Sequence, residues 1–190
     1  MNEFLEMLIV GVLSSNIIAC TGYGAISLQS EKRSFLFTVT TLATTISATI
    51  LAGLLFSVLN MYVLIPLKVD FLGILIMAIL AVVFTYVSRY IVKVVSVEQY
   101  YLYEKSYQFA VQTITIMAVL LLINYSKSFL NVMFQLAMFS VGFMLVHGLF
   151  YPIYEKLDNA KVLKPARNVP LILYTLCVLA MIFSAIYMMI

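Results

Sequence analysis

Six apolar segments, each near the length that crosses a bilayer, leave this chain little choice of fold. They run over about 4–26, 35–58, 71–93, 106–124, 129–151 and 169–190. About 20 apolar residues in a helix cross a hydrocarbon core of about 30 Å, and a helix satisfies its own backbone hydrogen bonds where no water is available. Six such spans take about 120 residues, so a chain of 190 residues has room for termini and loops but not for a soluble domain. Composition agrees. The chain is 64% apolar and 10% charged, with a mean hydropathy of +1.10, against about 45–50% apolar and about 25% charged in a soluble domain. The expected fold is an all-α membrane protein, one six-helix transmembrane domain over residues 1–190. That excludes a secreted disulfide scaffold, a soluble enzyme and a nucleic-acid binder. The first residues, Met1-Asn2-Glu3-Phe4-Leu5-Glu6, carry acid where a signal peptide would be basic, so no signal peptide is expected.

The breaks between spans are polar: Ser27–Ser34, Asn60–Asp70, the tyrosine-rich Lys93–Lys105, Asn124–Ser128 and Glu155–Pro170. Loops one, three and five, together with Arg89 at the end of the span before loop three, hold nine of the eleven basic residues, while the termini and loops two and four hold only Lys68 and Lys127. Cytoplasmic loops retain Lys and Arg, so the odd loops are expected in the cytoplasm and both termini outside it. Tyr62, Tyr86, Tyr90, Tyr100, Tyr101, Tyr103, Tyr151 and Tyr154 gather near span ends as an interfacial aromatic belt.

Polar residues inside the spans are informative, because each needs a partner once water is gone. Span one carries Ser14-Ser15-Asn16 and then Cys20-Thr21-Gly22-Tyr23-Gly24, where Gly22 and Gly24 would loosen a helix; span four carries Gln108, Gln112, Thr113 and Thr115. The two segments open corresponding halves, about 1–95 and 96–190. Three spans separate them, so the halves have opposite topology, the pattern of an inverted repeat of three plus three helices with a site at its interface. Interhelical packing by small residues and hydroxyls accounts for the same residues without a ligand. The threonines of span two (Thr38, Thr40, Thr41, Thr44, Thr45 and Thr49) are expected to bond back to their own helix, and His147 to be a hydrogen-bonded structural histidine. No paired carboxylate, Ser-His-Asp set, Walker loop or Cys-x-x-Cys is present, and one histidine with two cysteines, Cys20 and Cys177, cannot complete a four-ligand metal site. No self-contained active site is expected.

The second half carries a family likeness in Val141-Gly142-Phe143, Leu145-Val146, Leu149-Phe150, Ile153, Glu155-Lys156-Leu157, Val162, Pro165 and Arg167. Leu42-Ala43-Thr44-Thr45, Leu64-Ile65-Pro66-Leu67 and Ser15-Asn16 extend it over nearly the whole chain. In this order the motifs resemble the Rnf/Nqr family of six-span membrane subunits, in particular its RnfA/NqrE branch. The resemblance implies a multi-pass subunit of an electron transport complex in a bacterial or archaeal cytoplasmic membrane. The implied partners are a homologous six-span RnfE/NqrD-like subunit and flavin-carrying subunits, with electron flow coupled to Na⁺ or H⁺ movement or feeding extracytoplasmic flavoproteins. It further implies a 2Fe-2S cluster held between the paired subunits by two cysteines from each. Here the chain departs from the pattern. The first implied cysteine lines up near Gly24, one helical turn after Cys20, and the second falls where the chain reads Gln112-Thr113-Ile114-Thr115. Either the cluster has been lost, or Cys20 and an altered partner hold a modified centre; in neither case does the chain bind a cofactor alone. A reading from another class is the substrate-binding membrane component of a small-molecule importer for a vitamin or flavin, with Asn16, Tyr23 and Gln112 lining its pocket.

Overall fold

The computed structural model describes residues 35–105, 108–123 and 129–158 and eight positions between 174 and 185. Its ordered elements are helical throughout the described residues: α1 (Phe35–Leu59), α2 (Gly73–Val95), α3 (Val97–Lys105), α4 (Gln108–Leu122) and α5 (Phe129–Asp158). The eight later positions are also helical. The chain divides into two compact units, Ser34–Ala137 on one side and Met1–Arg33 with Met138–Ile190 on the other.

Two helical stretches are long and apolar enough to cross a membrane, Val39–Leu67 with mean hydropathy 2.2 and Asp70–Val95 with 2.5; α3 and α4 raise the number to three if that bent pair is one span. At 1.5 Å per residue the two stretches are about 43 and 39 Å long, and both exceed a hydrocarbon core of about 30 Å. Only 28% of either apolar window is buried within the chain. The six-span count and the inverted repeat reach beyond the described residues.

In the unit Ser34–Ala137, helices α1, α2 and α4 pack against one another. The buried positions of α2 are Gly73, Leu80, Ala81, Thr85, Ser88 and Val92, spaced so that they share one face. The facing stripe of α1 is Phe37, Thr41, Thr45, Ala48, Ala52 and Phe56. Alanines dominate where the helices meet: Ala48, Ala52 and Ala81 close on Ile116 and Leu120 of α4. Lipid tails are as apolar as leucine, so helices in a bilayer gain from close packing more than from burial, and small residues allow it. The threonine hydroxyls add no demand for partners. Thr41 donates to the Phe37 carbonyl at 2.8 Å, Thr44 to Thr40 at 2.8 Å and Thr49 to Thr45 at 2.7 Å, the back-bonding expected for this span.

Two loops of the sequence reading are helical. The break assigned to Asn60–Asp70 is instead a continuation of α1 through a π-helical turn at Asn60–Leu64 and a last α turn at Ile65–Leu67. In a regular α-helix the Pro66 ring would press on the Tyr62 carbonyl; the wider turn, in which the Ile65 N–H bonds to the Asn60 carbonyl, relieves that contact. Reversal takes place at Lys68, in the left-handed region at φ 56°. The tyrosine-rich Lys93–Lys105 contains α3, bent 77° from α4. Ser96 is its cap: extended at φ −155°, it accepts the Gln99 N–H on Oγ at 3.4 Å.

Candidate functional site

The polar groups of α2 and α4 meet in the apolar interior. Thr85 and Ser88 on α2 and Gln112 and Thr115 on α4 are all buried, and Thr113 is half-buried. Gln112 donates from Nε2 to Ser88 Oγ at 3.1 Å, and Ser88 in turn donates to the Phe84 carbonyl at 2.8 Å. The Thr113 hydroxyl lies 2.9 Å from Thr85 Oγ1 and 2.9 Å from the Phe109 carbonyl, while Thr85 donates to the Ala81 carbonyl at 2.7 Å. Thr115 donates to Val111 at 2.9 Å. Nearly every polar atom of this seam is satisfied within the helix pair. The exception is Gln112 Oε1, which is buried without a hydrogen-bond partner among the described residues.

Toward the α3 end of α2 the seam opens. Arg89 Nε and Nη2 donate to the Tyr100 hydroxyl at 3.1 and 2.7 Å, and Nη2 also reaches Glu104 Oε1 at 2.9 Å. The guanidinium lies 5.5 Å from the ring centres of both Tyr100 and Phe109. These contacts hold α3 against α2. They also place Arg89 at one end of a groove of about 260 Å³ lined by Val82, Thr85, Tyr86, Phe109 and Thr113.

Of the site residues expected from sequence, Asn16, Cys20, Gly22 and Gly24 lie outside the described residues, as does Tyr23. The structure brings Gln112 and Thr113 together with Ser88 and Thr85, and it turns Thr115 back onto its own helix. His147 lies on α5, and Cys177 is exposed. Among the described residues no three His, Cys, Asp or Glu stand close enough to hold a metal ion. The residues at the implied α4 ligand position do not fit an iron–sulfur cluster. Thr113 and Thr115 offer neutral hydroxyls, each within hydrogen-bonding distance of a backbone carbonyl of its own helix, where iron in such a cluster takes thiolates.

Thr85, Ser88 and the Arg89–Tyr100–Glu104 cluster were not among the site residues expected from sequence. Two hydroxyls three residues apart in an otherwise apolar span were a usable signal, since i and i+3 share a helix face. The Ser96-x-x-Gln99 spacing, a capping-box pattern, announced α3.

No protein-family model matches this sequence, and no curated protein is significantly similar to it.

The unpaired Gln112 oxygen has a measurable consequence. An unsatisfied buried polar atom costs about 1–3 kcal/mol, whereas the single hydrogen bond to Ser88 returns about 0.5–1.5 kcal/mol. Gln112→Leu is therefore expected to raise the unfolding free energy in mild detergent by about 1 kcal/mol, seen as a higher melting temperature. A lower melting temperature would show that Oε1 holds a partner in the assembled protein.

Proposed function

We propose that this chain is an integral membrane subunit of an Rnf/Nqr-type electron transport complex in a bacterial or archaeal cytoplasmic membrane. It has six spans in two inverted halves, with both termini outside the cytoplasm. It pairs with a homologous RnfE/NqrD-like subunit and with flavin-carrying subunits. The complex moves electrons across or along the membrane, with or without coupling to Na⁺ or H⁺. The ordered likeness from Ser15 to Arg167 and the basic odd loops support the choice of complex.

Within that complex its part is to position redox partners. The observation that carries this is the α2–α4 seam, where hydroxyls and an amide at the implied ligand position bond to each other and to backbone carbonyls. Such a seam fixes the register of two helices and leaves no thiolate for a redox centre. The groove beside it, about 260 Å³, is smaller than the about 300–1,000 Å³ typical of small-molecule sites. That weighs against the importer reading for this part of the molecule.

The test is the company the chain keeps. Tagged in its native membrane and extracted in mild detergent, it should copurify in fixed ratio with a second six-span subunit and a flavin-carrying subunit. Recovery of the chain without them, holding a vitamin or free flavin, would replace this reading with the importer. A stoichiometric two-iron EPR signal abolished by Cys20→Ala would overturn the positioning role.

A further inference from the structure

The groove at Arg89 runs along the bundle surface, and its chemistry changes from one end to the other. Val82, Tyr86 and Arg89 form one stripe on α2 spanning about 10 Å, faced by Phe109 and Ala110 of α4. Val82 is 44% exposed and Tyr86 64%, so the groove is open on the side where a span meets lipid. Its depth follows from the helix. Lys68 and Asp70 mark the polar end before α2, and 20 residues from Phe71 at 1.5 Å each cross about 30 Å and end at Tyr90. Arg89 therefore stands at the opposite boundary of the hydrocarbon, with exposed Tyr86 and Tyr90 beside it at headgroup level.

The guanidinium is held ready at that depth. Nε and Nη2 are engaged by Tyr100 and Glu104, while the two Nη1 hydrogens make no bond among the described residues. Lys93, one turn further on, lies 5.7 Å over the Tyr100 ring and has no carboxylate within salt-bridge distance among the described residues. A fixed guanidinium with a free edge and a neighbouring ammonium suit a phosphate. The apolar slot leading from them toward the membrane interior suits an acyl chain.

We propose that this groove seats one anionic phospholipid of the cytoplasmic leaflet, its phosphate on Arg89 and Lys93 and one acyl chain along Val82 and Ala110. The lipid binds across α2 and α4 at the point where α3 is held down, and so fastens α3 at the membrane surface. The inference depends on the orientation that puts loop three in the cytoplasm, and not on which complex the chain joins.

Native mass spectrometry of the purified full chain tests it, with phosphatidylglycerol, phosphatidylcholine and inorganic phosphate titrated separately. A basic side chain near the headgroups contributes about 1 kcal/mol, or about fivefold in affinity. One phosphatidylglycerol should bind about 25-fold more tightly than phosphatidylcholine, and Arg89→Gln should reduce that preference about fivefold. Val82→Trp, which fills the slot and leaves the bonds of Arg89 in place, should also weaken phosphatidylglycerol binding; it keeps the test valid if Arg89→Gln does not fold. Equal binding of the two lipids, binding unchanged in Val82→Trp, or displacement of phosphatidylglycerol by millimolar phosphate would each overturn the proposal.

Discussion

Tyr103→Ala is expected to free α3 from the bundle and lower the unfolding free energy by about 3–5 kcal/mol, the range for removing a fully buried aromatic side chain. Tyr103 is 1% exposed although it belongs to a short and otherwise polar helix. Its ring meets Phe37 edge-on at 5.1 Å and Phe109 at 5.4 Å, so it joins α3 to both α1 and α4. With Phe37 and Val92 it forms a closed apolar cluster at this end of the bundle. The hydroxyl matters less: its partners Thr41 and Thr44, the latter at 3.5 Å, already bond to carbonyls of their own helix, and a neutral hydrogen bond returns about 0.5–1.5 kcal/mol. Tyr103→Phe should accordingly stay within about 1 kcal/mol of the parent. Hydrogen exchange over residues 97–105, read beside the melting temperature in detergent, separates the two variants. Fast exchange is expected for alanine only. Unchanged protection in Tyr103→Ala would mean that the ion pair and hydrogen bonds of Arg89 hold α3 unaided.

Gly53→Val should destabilise the bundle by about 1–3 kcal/mol of overpacking. A Cβ placed on Gly53 would lie 2.7 and 2.9 Å from the two Cδ atoms of Leu136 and 3.3 Å from its Cγ. Leu136 is itself only 2% exposed, so a branched side chain at Gly53 would force its methyl groups to shift within a packed interior. Leu136→Ala alone should lose about 2–5 kcal/mol through the cavity it leaves. Because each change relieves the other, the double variant should be more stable than the sum of the singles by about 1 kcal/mol or more. Strict additivity in that cycle would show that the two helices do not approach so closely.

The helices themselves were legible in the sequence. The expected segments 71–93 and 106–124 correspond to Gly73–Val95 and Gln108–Leu122, and the start of the 35–58 segment coincides with Phe35. The charge-poor runs between Arg33, Lys68 and Arg89 are enough for that, because unpaired backbone in hydrocarbon is costly whatever surrounds it. Local signals also foretold the back-bonded threonines, since Thr41, Thr44 and Thr49 find their acceptors within one turn. The candidate site was legible only in part. Gln112 and Thr113 stood out as polar residues in an apolar span, but their partners did not.

The tertiary structure alone decided that Gln112 meets Ser88, that Thr113 meets Thr85, and that Arg89 reaches across eleven and fifteen residues to Tyr100 and Glu104. Hydropathy marks where along the chain an apolar helix lies. It says little about rotation around the helix axis or sliding along it, because lipid solvates all apolar faces alike. Those two freedoms are removed by contact: by Ala48, Ala52 and Ala81 closing on Ile116 and Leu120, and by Gly53 admitting Leu136. Once that packing sets the register, the few polar side chains bond to each other and to carbonyls of their own helices, and the seam and its groove follow.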